Sequence, residues 1–320
     1  GILVFVHEFG HFIFAKRAGM KVEEFGFGFP PRIWGIKKGE TVYSINLIPF
    51  GGFVKILGEE GEQRDNPRSF SSKPFGPRLK VIIAGVTMNF FLAVVLLMIT
   101  NFFGLRIGII DDTTALIARD KQVQIIEVSK DSPADKAGIK LLDEVSGFKL
   151  NGSFQAVLNA EDVQTFIREN AGQPITVVIK RNQETLDKEI VPRINPPEGQ
   201  GALGVSLALT GVVSYPWYEA IWRGVYNAVI LTMNVVVGYF LLFKTLLFEG
   251  KLMTDVSGPV GIATLTGQAA RVGITYLMQF TAMISINLAV LNIIPFPALD
   301  GGRALLIIIE KLKGSPVNKK

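Results

Sequence analysis

The chain has 320 residues, 48% of them hydrophobic, and a formal net charge of +5. This apolar content is too high for an ordinary soluble domain and predicts membrane-spanning segments beside a soluble domain. We predict no nucleic-acid partner, because no basic stripe is interleaved with aromatic residues. The absence of cysteine excludes disulfides and thiolate metal ligands.

Residues 1–19 form an apolar segment that contains the sequence HEFGH, and we predict a first transmembrane helix here. His7 and His11 are four residues apart, so both imidazoles lie on one face of a helix and can bind one metal ion. Glu8 lies beside them as a general base, which is the arrangement typical of zinc peptidases. Because ionisable groups in an apolar helix are costly, the motif predicts a functional site that holds Zn²⁺.

Residues 20–80 are predicted to form a β-hairpin or re-entrant loop on the cytoplasmic side, followed by a polar linker. The stretch WGIKKGETVYSINLIPFGGFVKI alternates like a hairpin and turns near Lys38-Gly39. Its flanks are apolar yet irregular. Irregular backbone can lie at membrane depth only where it is buried in protein or lines a water-filled cavity. The two interpretations are a small cytosolic sheet and a hairpin that dips towards the metal.

The second interpretation makes the hairpin part of a substrate site. Residues 45–55 alternate and contain a break at Gly51-Gly52. We expect Gly51, Gly52 and Phe53 to lie in an edge strand that pairs with an extended segment of the substrate.

Residues 81–105 are long, apolar and free of charge, which predicts a second transmembrane helix. Asn89 is its polar exception. This side chain is expected either to make a hydrogen bond between helices or to contact the substrate directly.

Residues 109–212 have the composition of a soluble domain. The patterns predict strands at VQIIEV, ITVVIKR and TLDKEIVPR, and a helix at AEDVQTFIRENAG that is closed by Gly172. The stretch SPADKAGIKLLDEVSGF resembles PDZ domains, with Leu142 where that family commonly has Gly. The resemblance implies either that peptide C-termini bind by strand addition or that the domain only excludes bulky partners.

The remaining chain is predicted to be membrane-associated. Residues 217–272 are expected to form helices on the membrane surface, and residues 275–302 a third transmembrane helix that ends in LDGG. Pro295 and Pro297 stop this helix and make the chain extended. Residues 303–320 are predicted to be a cytoplasmic tail.

A third metal ligand must be acidic, because the chain has no cysteine and no third histidine. We predict that His7, His11 and Asp300 bind the metal and leave a fourth position for water. The alternative is an acid soon after the first helix, Glu23 or Glu24.

The distribution of charge supports Asp300. Lys and Arg are frequent in residues 16–80 and again after Asp300, so both regions are expected on the cytoplasmic side, with residues 109–212 outside. From an outside domain, the chain reaches a cytoplasmic Asp300 only by an odd number of membrane crossings. The predicted span in 275–302 supplies one crossing. Residues 217–248 should therefore not cross the membrane fully.

Together, HEFGH, the PDZ-like insert, GPVGI and NIIPFPALDGGR resemble the bacterial site-2 protease family of intramembrane zinc metalloproteases. The resemblance implies a multi-pass protein of the bacterial cytoplasmic membrane whose active site is near the cytoplasmic side. It implies that Asn292 helps to position the substrate or its oxyanion, and that the hairpin is a membrane re-entrant loop. Implied substrates are single-span proteins such as anti-sigma factors, or remnant signal peptides. The chain departs from the family in two ways. Many members carry two PDZ units where this chain shows one, and members usually have a further span after the LDG segment. We therefore expect either a truncated tail or a missing fourth helix that weakens the fold.

These elements predict an α-helical polytopic membrane protein with an inserted membrane-associated β-hairpin and a soluble α+β PDZ-like domain. The lipid bilayer and transmembrane protein substrates are its expected partners. The alternative functions are a membrane-anchored PDZ scaffold with a structural metal motif and a membrane-anchored zinc enzyme that uses Glu24.

Overall fold

A computed structural model describes residues 1–150, 152–181, 184–249 and 258–315. The helices in these residues are α1 (Ile2–Arg17), α2 (Phe75–Phe103), α3 (Asp112–Ile117), α4 (Pro133–Lys136), α5 (Ala160–Glu169), α6 (Trp217–Glu249), α7 (Pro259–Val272), α8 (Ile274–Ile293) and α9 (Asp300–Lys313). The strands are β1 (Val22–Lys38), β2 (Thr41–Ile56), β3 (Leu105–Gly108), β4 (Arg119–Val128), β5 (Glu144–Leu150), β6 (Ser153–Ala156), β7 (Ile175–Arg181), β8 (Glu184–Ile190) and β9 (Val205–Val213).

The predicted fold class, an α-helical polytopic membrane protein, is wrong. Helices contain about 48% of the described residues, and strands contain about 27% of them in two antiparallel sheets. In the described ranges, three helices are long and apolar enough to cross a membrane, namely α2, α6 and α8. The prediction gave the helices too large a share, because hydropathy detects long apolar helices strongly, whereas β1 and β2, of 17 and 16 residues, are much longer than a simple hairpin needs.

Two of these three helices coincide with predicted spans, since α2 covers residues 81–103 and α8 covers most of 275–302. Helix α1 has 16 residues, fewer than the roughly 20 that a straight span needs. Helix α6 was expected on the membrane surface, yet its length and composition are sufficient for it to cross a membrane. Those two properties do not decide its position, so the surface location stays a prediction. Residues 250–257 of that segment and 316–320 of the tail lie outside the described residues.

The chain divides into two compact units. The first contains Gly1–Ile99, Ile221–Val256 and Met278–Lys320, and the second contains Thr100–Ala220 and Ser257–Leu277. Each unit has its own hydrophobic core, built from different elements.

The hairpin of the first unit is more complex than two straight strands. Residues 42–45 of β2 pair with 34–37 of β1 and also with 24–27. The same residues 24–27 pair on their other side with 52–55. The last segment of β2 therefore forms one edge of the small sheet. Gly51, with a positive φ of 96°, lies where β2 bends to reach this edge.

The turn of the hairpin is tied to the end of α1. Glu40 Oε1 accepts hydrogen bonds from Arg68 at 2.6 Å and from Lys16 at 2.9 Å. These cations lower the pKa of Glu40 from 4.5 to about 2. The ion pairs therefore contribute to stability above pH 4.5, and this contribution is lost as the pH falls towards 2. Solvent around the pairs keeps the contribution small.

Helix α2 lies at the centre of the first unit. One core cluster joins it to α1, the hairpin and α9, and comprises Ala15, Met20, Val22, Ile56, Phe70, Val81, Ile82 and Ile307. A second cluster joins it to α6 and α8, and comprises Ala93, Val94, Leu97, Ala228, Ala282, Ile286 and Val290. Small residues at such contacts let helices approach closely, as is usual in membrane bundles.

The segment between α8 and α9 reverses the chain, as its prolines predict. Gly301 and Gly302 are required here. A Cβ on Gly301 would lie 2.2 Å from the Ile293 carbonyl oxygen, and a Cβ on Gly302 would lie 2.1 Å from that of Phe296. The helix α9 that follows was predicted only as a tail. Its buried Ile307 joins the core beside α1 and α2, so it holds Asp300 against the first helix.

The second unit contains the predicted strands as β4, β7 and β8 and the predicted helix as α5. In the described residues, seven strands form its sheet, in the order β3-β9-β4-β5-β7-β8 with β6 paired to β5. Asn159 and Asp162 form a capping box that starts α5. Phe148 of β5 stacks on Phe166 of α5 at 4.2 Å between ring centroids, in the centre of the core.

Leu142 occupies a backbone conformation that favours glycine. Its φ is +71°, in the left-handed region. Branched L-residues are strained there by roughly 1–2 kcal/mol. The backbone at residue 142 therefore favours glycine, the residue that the predicted PDZ-like pattern would have in place of Leu142.

Candidate metal centre

Three side-chain atoms from the two ends of the chain meet in the first unit. His7 Nε2 lies 2.9 Å from Asp300 Oδ2, and His11 Nε2 lies 3.2 Å from the same oxygen. The two Nε2 atoms lie 3.1 Å apart. Helix α1 places the imidazoles one turn apart on one face, and Asp300 begins α9. The structure thus brings together the three residues that were predicted as metal ligands.

The triangle fits a zinc ion. Tetrahedral Zn²⁺ with bonds of 2.0–2.1 Å places neighbouring ligand atoms about 3.3 Å apart. The observed separations of 2.9, 3.1 and 3.2 Å are close to this value. Asp300 Oδ2 is also buried without a hydrogen-bond partner in the described part of the chain. Three lone-pair atoms that converge on one point repel one another unless a cation lies between them.

The second nitrogen of each imidazole contacts α2. His11 Nδ1 lies 2.8 Å from the Val81 carbonyl oxygen, to which it donates a hydrogen bond. Its hydrogen is therefore on Nδ1, and its Nε2 offers a lone pair to a metal. His7 Nδ1 lies 3.3 Å from the side-chain amide of Asn89.

A glycine on α2 makes room for the site. A Cβ on Gly85 would lie 2.5 Å from His11 Nε2 and 2.7 Å from His7 Cε1. Gly10 of α1 lets the same two helices approach, because a Cβ there would lie 2.5 Å from the Ala84 carbonyl oxygen. The open space at the metal position therefore depends on the absence of a side chain at residue 85.

Glu8 lies at the same site. Ligand atoms of His7, Glu8 and His11 all lie within 4.8 Å of one another, and Glu8 is only half-buried. The carboxylate is thus close enough to exchange a proton with a molecule bound at the metal.

The alternative third ligands have other partners. Glu24 pairs with Arg32 at 2.6 Å, and Glu23 pairs with Lys55 at 3.2 Å. Their carboxylates lie in the hairpin as surface ion pairs. This arrangement disfavours the reading in which an acid soon after α1 completes the site.

The other predicted site residues make no described contact with the three candidate ligands. Asn292 is half-buried in the last turn of α8, and in the described residues no hydrogen bond joins it to His7, His11 or Asp300. Gly52 packs on α1, because a Cβ there would lie 3.4 Å from Phe5 Cα. Gly51 and Phe53 flank it at the start of the edge segment of β2. Their substrate role stays a prediction.

Sequence reasoning missed two residues of α2 that shape the site. Gly85 and Val81 belong to a row with Asn89, in which the three residues are spaced by four and so lie on one helix face. This spacing was visible, but only the fold reveals that the face lies against the two histidines.

A cavity of about 560 Å³ borders the centre at His11 and Asp300. Its lining also includes Glu59, Arg303 and Glu310, so charged side chains line it together with apolar ones. Arg303 pairs with Glu59 across the described lining. Such a cavity gives water a route to the metal position.

Comparisons with known proteins identify the family of this chain. Residues 1–320 match the family model described as Peptidase family M50. A Clostridium perfringens protein named as a zinc metalloprotease is 37% identical over 311 residues, which are 97% of this chain and 85% of that protein. The regulator of sigma-W protease RasP of Bacillus subtilis is 29% identical over 404 residues, 100% of this chain and 90% of that protein. The zinc metalloprotease RasP of Geobacillus kaustophilus is 30% identical over 401 residues, 100% of this chain and 89% of that protein. Both RasP alignments are longer than the chain, so these relatives contain residues that it lacks.

We predict that Gly85→Ala weakens zinc binding by about 10- to 100-fold, because overpacking of this kind costs about 1–3 kcal/mol. The added methyl would displace the imidazoles from the metal position. The measurement is zinc affinity of the purified protein by competition with a chelator. Gly76→Ala is the matched control on the same helix, since a Cβ there meets nothing within 4 Å. Unchanged zinc affinity in Gly85→Ala would contradict this account of the site.

Proposed function

Because this chain belongs to peptidase family M50 and is a site-2 zinc metalloprotease, we propose that it hydrolyses a peptide bond within or near the transmembrane segment of single-span membrane proteins. The observation that carries this proposal is the triangle of His7, His11 and Asp300 beside Glu8 in a unit of apolar helices. The chain is associated with a membrane, consistent with the three long apolar helices found among the residues that the structure describes.

His7, His11 and Asp300 would hold the ion, and the cavity would supply water. When bound, zinc supplies a Lewis acid that polarises the scissile carbonyl and activates water as a nucleophile at neutral pH. Three protein ligands leave one coordination position open, as in catalytic zinc sites, whereas structural sites are normally closed by four. This count favours an enzyme over a scaffold with a structural metal.

Glu8 moves the proton. Its carboxylate takes a proton from the attacking water and then donates it to the amide nitrogen of the leaving peptide, so that the C–N bond breaks with a neutral amine as product. The half-buried position of Glu8 beside the histidines supports both steps.

The edge segment of β2 would hold the substrate. A transmembrane helix hides its carbonyls in its own hydrogen bonds, so a protease must stabilise a locally extended segment. Residues 52–55 pair with 24–27 on one side only in the described register. A substrate strand would add on the other side, with Gly51, Gly52 and Phe53 at the start of this edge and Asn292 as a further contact.

The PDZ-like domain would act as a filter for substrates or as a peptide-binding module. Its strand β9 pairs with β4 along Val205–Val212, whereas β3 pairs only with residues 210–213. In the described residues, the first half of β9 therefore has one edge with no strand beside it. This edge fits an extended peptide C-terminus, and the domain as a whole would exclude substrates with a bulky outer part.

The chemistry favours membrane-bound regulators or remnant signal peptides as substrates. The Bacillus subtilis relative is named as a regulator of sigma-W protease, which supports an anti-sigma-factor-like substrate. We place the protein in the bacterial cytoplasmic membrane, with the metal centre near the cytoplasmic side and the PDZ-like domain outside. The Lys and Arg residues around Asp300 and in residues 16–80 support this orientation.

We predict that the purified protein cleaves a model single-span substrate and that a zinc chelator stops cleavage. Glu8→Gln should retain zinc but reduce the cleavage rate by at least about 100-fold, because a general acid–base contributes roughly 10²–10⁴-fold.

A substrate with a bulky folded outer domain should be cut more slowly than its trimmed form. The measurements are product formation on gels and zinc content.

Two variants distinguish the proposed ligand from its alternative. Asp300→Asn should lose both zinc and cleavage, whereas Glu24→Gln should retain both. Zinc loss in Glu24→Gln with retention in Asp300→Asn would refute the assignment. Full activity of Glu8→Gln would instead favour the scaffold.

We predict that Phe53→Pro reduces cleavage at least about tenfold while zinc content is unchanged, because proline removes a donor from the edge and disturbs pairing. Cleavage rate and zinc content are measured on the same preparation. Equal loss of both would show that the edge supports the metal centre and not the substrate.

We predict that both ends of α6 are accessible from outside the cell, because this helix is proposed to lie on the membrane surface. The chain contains no cysteine, so Tyr218→Cys and Leu247→Cys each introduce a single thiol at an exposed position. Both should react with a membrane-impermeant maleimide in intact cells. Reaction of the first thiol alone would mean that α6 crosses the membrane.

A further inference from the structure

Asn89 lies at the metal centre but is too deeply buried to meet a substrate. Only 1% of the residue is exposed, and its amide nitrogen Nδ2 lies 3.3 Å from His7 Nδ1. Its other amide atom, Oδ1, is buried and has no hydrogen-bond partner among the described residues. A buried amide oxygen without a donor is rare in folded proteins and calls for a physical explanation.

The metal determines which amide atom must face His7. A neutral imidazole that offers its Nε2 lone pair to a metal carries its hydrogen on Nδ1. That N–H needs an acceptor, which an amide NH₂ group cannot provide. A half-turn of the Asn89 amide exchanges Nδ2 and Oδ1, two atoms of nearly identical size. The exchange gives the imidazole N–H an acceptor and the amide oxygen a donor.

We propose that Asn89 is a positioning residue whose side-chain oxygen accepts a hydrogen bond from His7 Nδ1–H and so holds Nε2 towards the zinc ion. The proposal rests on the zinc site described above. It assigns to His7 the support that His11 receives from the Val81 carbonyl oxygen at 2.8 Å. Outer contacts of this kind orient metal-bound imidazoles and raise their basicity.

Packing of α2 on α8 does not use the Asn89 side chain. The contact between these two helices at this level is a hydrogen bond from Ser285 Oγ to the backbone oxygen of Asn89, at 2.8 Å. The side-chain amide is therefore left for His7 of α1. Of the two roles expected from the sequence, this contact is the hydrogen bond between helices, and the burial of Asn89 disfavours a substrate contact.

The spacing along α2 supports the same conclusion. Val81, Gly85 and Asn89 recur every four residues on one face, and each lies against a histidine of α1. Val81 supports His11, Asn89 supports His7, and Gly85 leaves the space between them. A single helix face thus sets the orientation of both imidazoles.

The test compares Asn89→Leu with Asn89→Asp in the full-length protein in detergent. Asn89→Leu keeps a similar shape but has no acceptor, and its affinity for Zn²⁺, measured by competition with a chromophoric chelator, should fall about 10- to 100-fold. Asn89→Asp retains an acceptor oxygen and should recover most of the affinity. With Co²⁺ in place of zinc, the visible absorption bands of Asn89→Leu should shift, whereas those of Asn89→Asp should resemble the parent bands.

Ser285→Ala is the matched control, because it removes the hydrogen bond to the Asn89 backbone and leaves the His7 contact. It should bind Zn²⁺ with parental affinity. Parental affinity in Asn89→Leu would overturn the proposal, and so would an equal loss in Ser285→Ala. An equal loss in Asn89→Asp would overturn it as well. A parent protein that binds no Zn²⁺ would refute the metal site itself, which separates the two failures.

Discussion

The convergence of three lone-pair atoms on one point among apolar helices is the constraint on which the first unit depends. His7, His11 and Asp300 come within 3.2 Å of one another although almost 300 residues of chain separate the first from the last. A cation between three such lone-pair atoms would remove their mutual repulsion and stabilise the arrangement. The reversal after α8 and the docking of α9 both serve to bring Asp300 to α1.

Helix α2 acts as the template for this convergence. It packs on α1 through Gly10 and Gly85, contacts both distal imidazole nitrogens, and carries the second core cluster on which α6 and α8 pack. A helix that is buried on several faces has few ways to shift. The positions of His7, His11 and Asp300 are therefore set by packing against α2 as much as by the helices that carry them.

Hydrolysis of a peptide bond at membrane depth needs water, an activated carbonyl and an extended substrate. The first unit provides a feature for each requirement. A cavity lined partly by charged side chains reaches His11 and Asp300. The histidine and carboxylate triangle has the dimensions of a zinc site, and the bent strand β2 presents an edge beside α1. The same site in a soluble enzyme would not need the cavity, because bulk water would reach the metal directly.

The sequence by itself determined the chemistry of the site and much of the local structure. Three features of the sequence were sufficient to propose the ligand set. These are the spacing of His7 and His11, the lack of cysteine and of a third histidine, and the prolines before Asp300. Alternating and periodic patterns located β4, β7, β8 and α5, because these features are local. Only the tertiary structure decided the remaining features. These are the balance of helix and strand, the docking of α9, the double pairing of β2, and the roles of Gly85 and Asn89. Each depends on which faces of distant segments meet, and no pattern within a single segment specifies that.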